Sequence, residues 1–340
     1  MRRRLLPALA ALLTVSVLSG CVGGRAERSR TDAEGTRAVA VVATADIPSI
    51  VRRLEPSIVT VYVGGGLGSG IVYKADGVIV TNQHVVGDAK QVTVGFADGR
   101  RVGGKVLAVD AVTDLAVVRV SRTGLPAARF DTTLPPVGAL AIALGSPLGF
   151  ANTATAGIVS GLGRSIPAEG AEGQPLVDLI QTDAAISPGN SGGALVNGAG
   201  GVIGVNEAYI PPASGAVSLG FAIPTATVVD VVEQLLRGGR AQHAYLGIEP
   251  ATLTPDIARQ LGLDLAGGVV VQAVGQGSPA AAAGLRPGDI IVSVGGTPTP
   301  TTSALYEVLR RHKPGDEVEM RVVRDGTERP VTVTLGDRPS

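Results

Sequence analysis

From Ile47 onward the chain alternates short apolar runs with breaks built on glycine. Runs at 58–63, 70–73, 78–81, 91–96, 102–109, 115–120 and 139–144 are rich in Val and Ile and predict strands, with turns expected at Asp76-Gly77, Asp98-Gly99 and Gly103-Gly104. A second set follows at 154–161, 177–181, 194–196, 202–206 and 218–223. Before the first set, residues 47–54 predict a short helix with Pro48 in its first turn. After the second, Val228, Val231, Val232, Leu235 and Leu236 recur at helical spacing within 225–237, and Gly238-Gly239 supplies a stop. Many short strands with no helical pattern between them predict a mainly β fold, an antiparallel barrel or sandwich. Two strand-rich halves of similar size fit two packed barrels.

Beyond that helix a different pattern begins. Tyr245-Leu246-Gly247-Ile248 is followed by an Ala-rich stretch, then Gly268-Val269-Val270-Val271, then Gly284-Leu285-Arg286-Pro287-Gly288-Asp289-Ile290-Ile291. A helix over 302–311 and strands over 317–324 and 330–335 complete this second unit. Domains are therefore expected at 47–239 and 244–336.

The N-terminus follows neither pattern. Arg2-Arg3-Arg4 precede an apolar run from Leu5 to Val17, which is too short to span a bilayer and reads as a signal peptide over 1–20. Leu18-Ser19-Gly20-Cys21 ends it in the manner of a bacterial lipobox, so Cys21 is the expected lipidation site and membrane attachment. Cys21 is the only cysteine, which excludes an intrachain disulfide. Residues 21–46 are expected to be a flexible linker.

Composition narrows the function. With 29 basic and 29 acidic side chains the formal charge is zero, which argues against nucleic acid held by bulk electrostatics. Glycine is abundant at 48 residues, in keeping with many turns.

The candidate chemistry centres on Ser191, set in Ser187-Pro188-Gly189-Asn190-Ser191-Gly192-Gly193. Flanking glycines let a substrate approach the hydroxyl, and the backbone of Gly189, Asn190 and Ser191 is the expected oxyanion hole. A serine needs a base to take its proton, and the base needs an acid to orient it. His84, at a strand end, and Asp114, at a strand entry, supply both. The order His84, Asp114, Ser191 is that of chymotrypsin and differs from the subtilisin and α/β-hydrolase orders. His243 and His312 have no metal-ligand neighbours at useful spacing and are expected on the surface; no metal or cofactor is expected.

Together the blocks Thr81-Asn82-Gln83-His84-Val85, Thr113-Asp114-Leu115-Ala116-Val117, Thr182-Asp183-Ala184-Ala185-Ile186 and Gly189-Asn190-Ser191-Gly192-Gly193 resemble the HtrA serine proteases. The resemblance runs from about Ile47 to the C-terminus. Gln83, Ser187 and Ala194 depart from the usual Asn, Asn and Pro without touching a catalytic atom. The likeness implies a chymotrypsin-like double barrel with its triad between the halves, followed by a PDZ domain. It further implies an ATP-independent endopeptidase of the cell envelope that acts on unfolded proteins and assembles as a homotrimer. The PDZ domain would receive peptide C-termini at Tyr245, Leu246, Gly247 and Ile248. Ala185 stands where trypsin-like enzymes carry an acid, so the resemblance implies a pocket for small aliphatic side chains, and Asp183 is expected to be structural. Loops at 161–175 and 208–217 are expected to be mobile and, by resemblance, to order on activation.

Two other readings remain at this point. One is an HtrA-like chaperone or sensor with little proteolysis. The other is an α/β-hydrolase, since Gly189-Asn190-Ser191-Gly192-Gly193 satisfies G-x-S-x-G; it would need its histidine after the serine, at His243 or His312, and alternating helices and parallel strands that the pattern lacks.

Overall fold

The computed structural model describes residues 46–146, 153–166, 174–210, 219–260 and 263–339. The expected signal peptide, Cys21 and nearly all of the expected linker lie outside the described residues. Helix α1 (Ile47–Leu54) opens the body, with the Asp46 side chain accepting from Ser49 N and Pro48 in the first turn. Strands β1 (Ile58–Val63), β2 (Gly66–Lys74) and β3 (Val78–Asn82) lead into a single helical turn, α2 (Gln83–Val86). Strands β4 (Gln91–Gly95), β5 (Arg101–Asp110) and β6 (Leu115–Val120) close a barrel in the order β1-β2-β3-β6-β5-β4.

A second closed barrel follows from β7 (Leu140–Gly145), β8 (Thr153–Ile166), β9 (Leu176–Thr182), β10 (Ala194–Asn197), β11 (Val202–Ile210) and β12 (Leu219–Pro224), in the order β10-β11-β12-β9-β8-β7. The barrel alternative is thus the one realised. Each barrel has its own core, and a third apolar cluster joins them. There Ile71, Val80 and Leu115 of the first barrel pack with Ile142, Leu144 and Val205 of the second. Helix α3 (Thr225–Gly238) seals this cluster with Val228, Val231, Val232 and Leu235 buried at the spacing read from the sequence. Each such side chain contributes roughly 1.5–3 kcal/mol by leaving water. Gly239 ends α3 at φ +73° with its N–H on the Leu235 carbonyl.

The second unit begins with β13 (Ala244–Tyr245), β14 (Ile248–Leu253), α4 (Pro255–Gln260), β15 (Gly268–Val274) and α5 (Pro279–Ala282). It ends with β16 (Ile290–Val294), β17 (Thr297–Pro298), α6 (Thr302–Arg310), β18 (Glu317–Arg324), β19 (Thr327–Thr334) and β20 (Gly336–Asp337). The main sheet runs β14-β15-β16-β18-β19, so β14 is an edge strand. Its core is formed by Leu246, Val269, Ile291, Leu305, Met320 and Val333.

Three expectations need correction. Gly103-Gly104 is no turn: both lie within β5, paired with Thr93 and Val92 of β4. A Cβ on Gly104 would sit 2.8 Å from Val118 Cγ1, so glycine is there for close packing. The segments read as loops from 161 and 208 begin as strand, since β8 continues to Ile166 and β11 to Ile210. His243 is not a surface residue; its side chain is 16% exposed and contacts Asp110.

Candidate functional site

The site assembles where the two barrels meet. Strand β3 delivers fully buried Thr81 and Asn82, and α2 then turns the chain so that His84 faces the cleft with a half-exposed side chain. Opposite it, the β5–β6 turn places Asp114 in the left-handed region at φ +53°, unusual for a residue with a side chain. Hydrogen bonds over-determine that conformation. The Asp114 carbonyl accepts from Gln83 N at 3.1 Å and Asn82 Nδ2 at 3.0 Å, and Asp114 Oδ1 accepts from His84 N at 2.8 Å. Asp114 Oδ2 lies 2.5 Å from His84 Nδ1. With a carboxylate as acceptor, Nδ1 is the protonated nitrogen and Nε2 carries the lone pair.

Ser191 comes from the loop before β10, which is tied to both barrels. Ser69 N donates to the Ser191 carbonyl at 2.8 Å, and the Ser69 hydroxyl donates to the Gly189 carbonyl at 2.6 Å. Gly192 N donates to the Asn206 carbonyl, and Asn206 N to the Gly193 carbonyl. Gly189 and Gly192 have φ of +95° and +82°, and a Cβ on Gly192 would lie 2.2 Å from the Ser69 carbonyl oxygen. Asn190 is fully buried, and neither atom of its amide has a partner among the described residues. The Ser191 hydroxyl donates to the carbonyl oxygen of Glu207 at 2.9 Å.

Glu207 is a fourth polar group in this cluster. It sits on β11, 5% exposed, and its Oε2 accepts from Asn82 Nδ2 at 2.6 Å while its carboxyl hydrogen-bonds Asp114. Its Oε1 is 3.7 Å from His84 Nδ1. Burial, then the Asp114 charge and the hydrogen bond to Asp114, push the Glu207 carboxyl up to about 10. His84, Asp114 and Glu207 are metal-binding residue types brought close together. The 2.5 Å between His84 Nδ1 and Asp114 Oδ2 is a hydrogen-bond length. Donors around a tetrahedral Zn²⁺ at 2.0–2.1 Å would stand roughly 3.3 Å apart, so His84 Nδ1 and Asp114 Oδ2 are spaced to share a proton.

The residues expected at the second site lie at the start of the second unit. Tyr245 pairs with Gly336, Leu246 is buried, and Gly247 turns at φ +81° with its carbonyl accepting from Gly275 N. They line a cleft of about 930 Å³ that α6 walls through Leu305, Tyr306 and Leu309. Val112 and Thr113, next to Asp114, reach the same cleft. Asp183 accepts from Ile158 N at 2.7 Å.

The trypsin-like peptidase domain family matches residues 68–205 and the PDZ domain family residues 244–335. Over 284 residues the chain is 44% identical to the putative serine protease HhoB of Synechocystis sp., covering 81% of this chain and 67% of that protein. A probable periplasmic serine endoprotease DegP-like of Ectopseudomonas mendocina is 39% identical over 80% of this chain. The solved structure of the HtrA-type protease AlgW with decapeptide superposes with a TM-score of 0.71 at 32% identity, covering 86% of this chain and 99% of that one. The serine endoprotease from Yersinia pestis gives 0.66 at 33% identity, covering 86% and 98%. The chain belongs to the HtrA family of serine proteases. It spans just over half of the DegP-like relative, 57% of that protein's length.

Within this HtrA-type site, sequence reasoning did not single out Ser69, Asn82 as a side-chain donor, Asn206 or Glu207. Glu207 left a trace, being the one charge in the apolar run Val202–Ile210. The other three are polar residues of ordinary strands, whose roles come from contacts across the barrels.

Proposed function

We propose that this protease cuts unfolded or damaged proteins outside the cytoplasm by an acyl-enzyme mechanism, with Ser191 as nucleophile, His84 as general base and Asp114 as the acid that orients it. The observation that carries this is the 2.5 Å contact between His84 and Asp114, with Ser191 joined to the same cluster through the carbonyl of Glu207. Asp114 fixes the tautomer that leaves Nε2 free to take the serine proton, and stabilises the imidazolium that results. The Gly189-Asn190-Ser191 backbone would hold the tetrahedral oxyanion, Gly189 and Ser191 through their N–H groups. Protonated His84 would then pass its proton to the leaving amine, and water would release the acyl group by the same route.

The Ser191 hydroxyl, committed to the Glu207 carbonyl, must rotate to reach His84, so the arrangement is a resting one. Peptide C-termini would add to the edge of β14, with the backbone N–H groups of Leu246, Gly247 and Ile248 at the carboxylate. That the AlgW structure contains a decapeptide supports a peptide-responsive PDZ domain. The signal-peptide pattern and a relative named as periplasmic support export, Cys21 in its lipobox supports a lipid anchor, and the family supports a homotrimer.

The test is degradation of reduced casein by the purified protein and by Ser191→Ala, with and without a peptide ending in a hydrophobic residue. Loss in the variant and acceleration by the peptide support the whole reading. Cleavage indifferent to the peptide keeps the protease and removes the sensor. Absence of cleavage throughout favours the chaperone alternative.

A further inference from the structure

We propose that Glu207 is a positioning residue of the catalytic apparatus, a neutral carboxylic acid that donates a hydrogen bond to Asp114 and holds that carboxylate against His84. This rests on the triad assigned above. The two carboxyl groups are in hydrogen-bond contact and both nearly buried, and two carboxylates so placed do not ionise together. The proton must therefore sit on one of them. Asp114 accepts from His84 N and His84 Nδ1, which fixes the charge there. Glu207 Oε2 accepts from Asn82 Nδ2, and the Glu207 carboxyl is left to carry the proton shared with Asp114.

The placement is economical. Asn82 donates to both the Glu207 carboxyl and the Asp114 carbonyl, so β3 holds the acid and its partner in one frame. With the acid neutral, the cluster keeps a single negative charge facing the histidine. Were Glu207 to ionise, the second charge would repel Asp114 and disturb the Asp114–His84 contact. The titratable groups facing the carboxyl are Asp114, from the β5–β6 turn, and His84, from α2. Asn82, on β3, is its neutral donor. Ionisation near pH 10 is then expected to close down activity.

The experiment uses the full chain and a fluorophosphonate probe, which reports the reactivity of Ser191 without a peptide substrate. Wild type, Glu207→Gln, Glu207→Ala and Ser191→Ala are labelled from neutral pH to above pH 10, beside melting curves. Gln keeps the shape and supplies an amide donor to Asp114 but cannot ionise. It is expected to lose no more than about threefold in maximal labelling rate, whereas Ala loses about 10- to 100-fold, the range for a charged group deprived of a hydrogen bond. The probe concentration at half-maximal rate should be unchanged in both. The alkaline decline should appear in wild type and be absent in Gln. Labelling of Ala at the wild-type rate, equal slowing of Gln and Ala, or an alkaline decline that persists in Gln each overturn the proposal. If Ala does not fold, the Gln profile decides alone. If wild type is labelled no faster than Ser191→Ala, the nucleophile assignment fails and this inference falls with it.

Discussion

The Ser191 hydroxyl donates a hydrogen bond to the backbone carbonyl of Glu207 at 2.9 Å, while the side chain of the same glutamate contacts Asp114. One residue of β11 thus touches the proposed nucleophile through its backbone and the proposed orienting acid through its side chain. Strand β11 is also bonded to the Ser191–Gly193 turn through Asn206. A shift of β11 relative to β3 would therefore be felt at Ser191 and Asp114 at once.

Asp114→Asn tests the proposed role of Asp114 as the orienting acid. An amide in place of the carboxylate favours the wrong imidazole tautomer, and the maximal rate should fall about 10⁴-fold. The Asp114 charge also helps push the Glu207 carboxyl up, so its removal relaxes Glu207 downward while burial still acts. Steady-state kinetics on casein-derived peptides should show the loss in kcat, with KM little changed.

Gly192→Ala should be damaging although it adds one methyl. At φ +82° an L-residue is strained, and the new carbon would stand 2.2 Å from the Ser69 carbonyl oxygen and 2.4 Å from Thr81 Oγ1. A backbone carbonyl does not yield as a flexible side chain does. The expected cost is roughly 1–3 kcal/mol of stability, with a displaced Ser191. Melting curves and fluorophosphonate labelling measure the two effects separately, and a variant that melts and labels as wild type would refute the packing argument.

The gathering of His84, Asp114 and Ser191 at one place was legible because the chemistry proposed for them is tied to local sequence. His84, Asp114 and Ser191 each lie in a short block whose residues also build the turn around them, as Gln83 N does by bonding the Asp114 carbonyl. Helix α3 was legible because its apolar spacing is its packing face. Gly104 was misread because its reason lies across the sheet, in Val118, and glycine alone does not tell a turn from a tight crossing. His243 was misread for the same reason: its partner Asp110 is 133 positions away. Glu207 was overlooked because a charge in an apolar strand signals a buried partner without naming it.

The contact between His243 and Asp110 makes a pH prediction. Asp110 is 7% exposed; its Oδ1 meets His243 Nε2 at 2.8 Å, and its Oδ2 accepts from Thr113 N at 3.2 Å. Burial works to raise its carboxyl, but the His243 and Thr113 contacts outweigh it and hold the group below the ordinary 3.8. A carboxylate depressed in the folded state adds stability that is fully present above that ordinary value and is lost as pH falls through the lower, native one. The destabilisation by Asp110→Asn, read from urea midpoints, should therefore shrink as pH falls below 3.8. A difference independent of pH down to the acid limit would contradict this.

Arg310 gives the sharpest test of communication between the two units. From the last turn of α6, Nη1 donates to the Val177 carbonyl at 2.7 Å and Nη2 to the Val112 carbonyl at 3.4 Å. One guanidinium thereby ties a wall of the cleft beside residues 245–248 to the start of β9 and to the turn that carries Asp114. Burial presses its proton affinity down, opposed by the carboxylates of Asp178, Asp110 and Glu307. Arg310→Met removes both bonds and leaves those acids without their shared cation, at a cost of about 2 kcal/mol. Arg310→Lys should not restore them, because a single ammonium does not span two carbonyls on separate elements as a planar fork does. Both variants should show faster amide exchange across 110–114 and at the start of β9, with the PDZ core unchanged. Protection retained at both places in Arg310→Met would mean that α6 is docked by its apolar contacts alone.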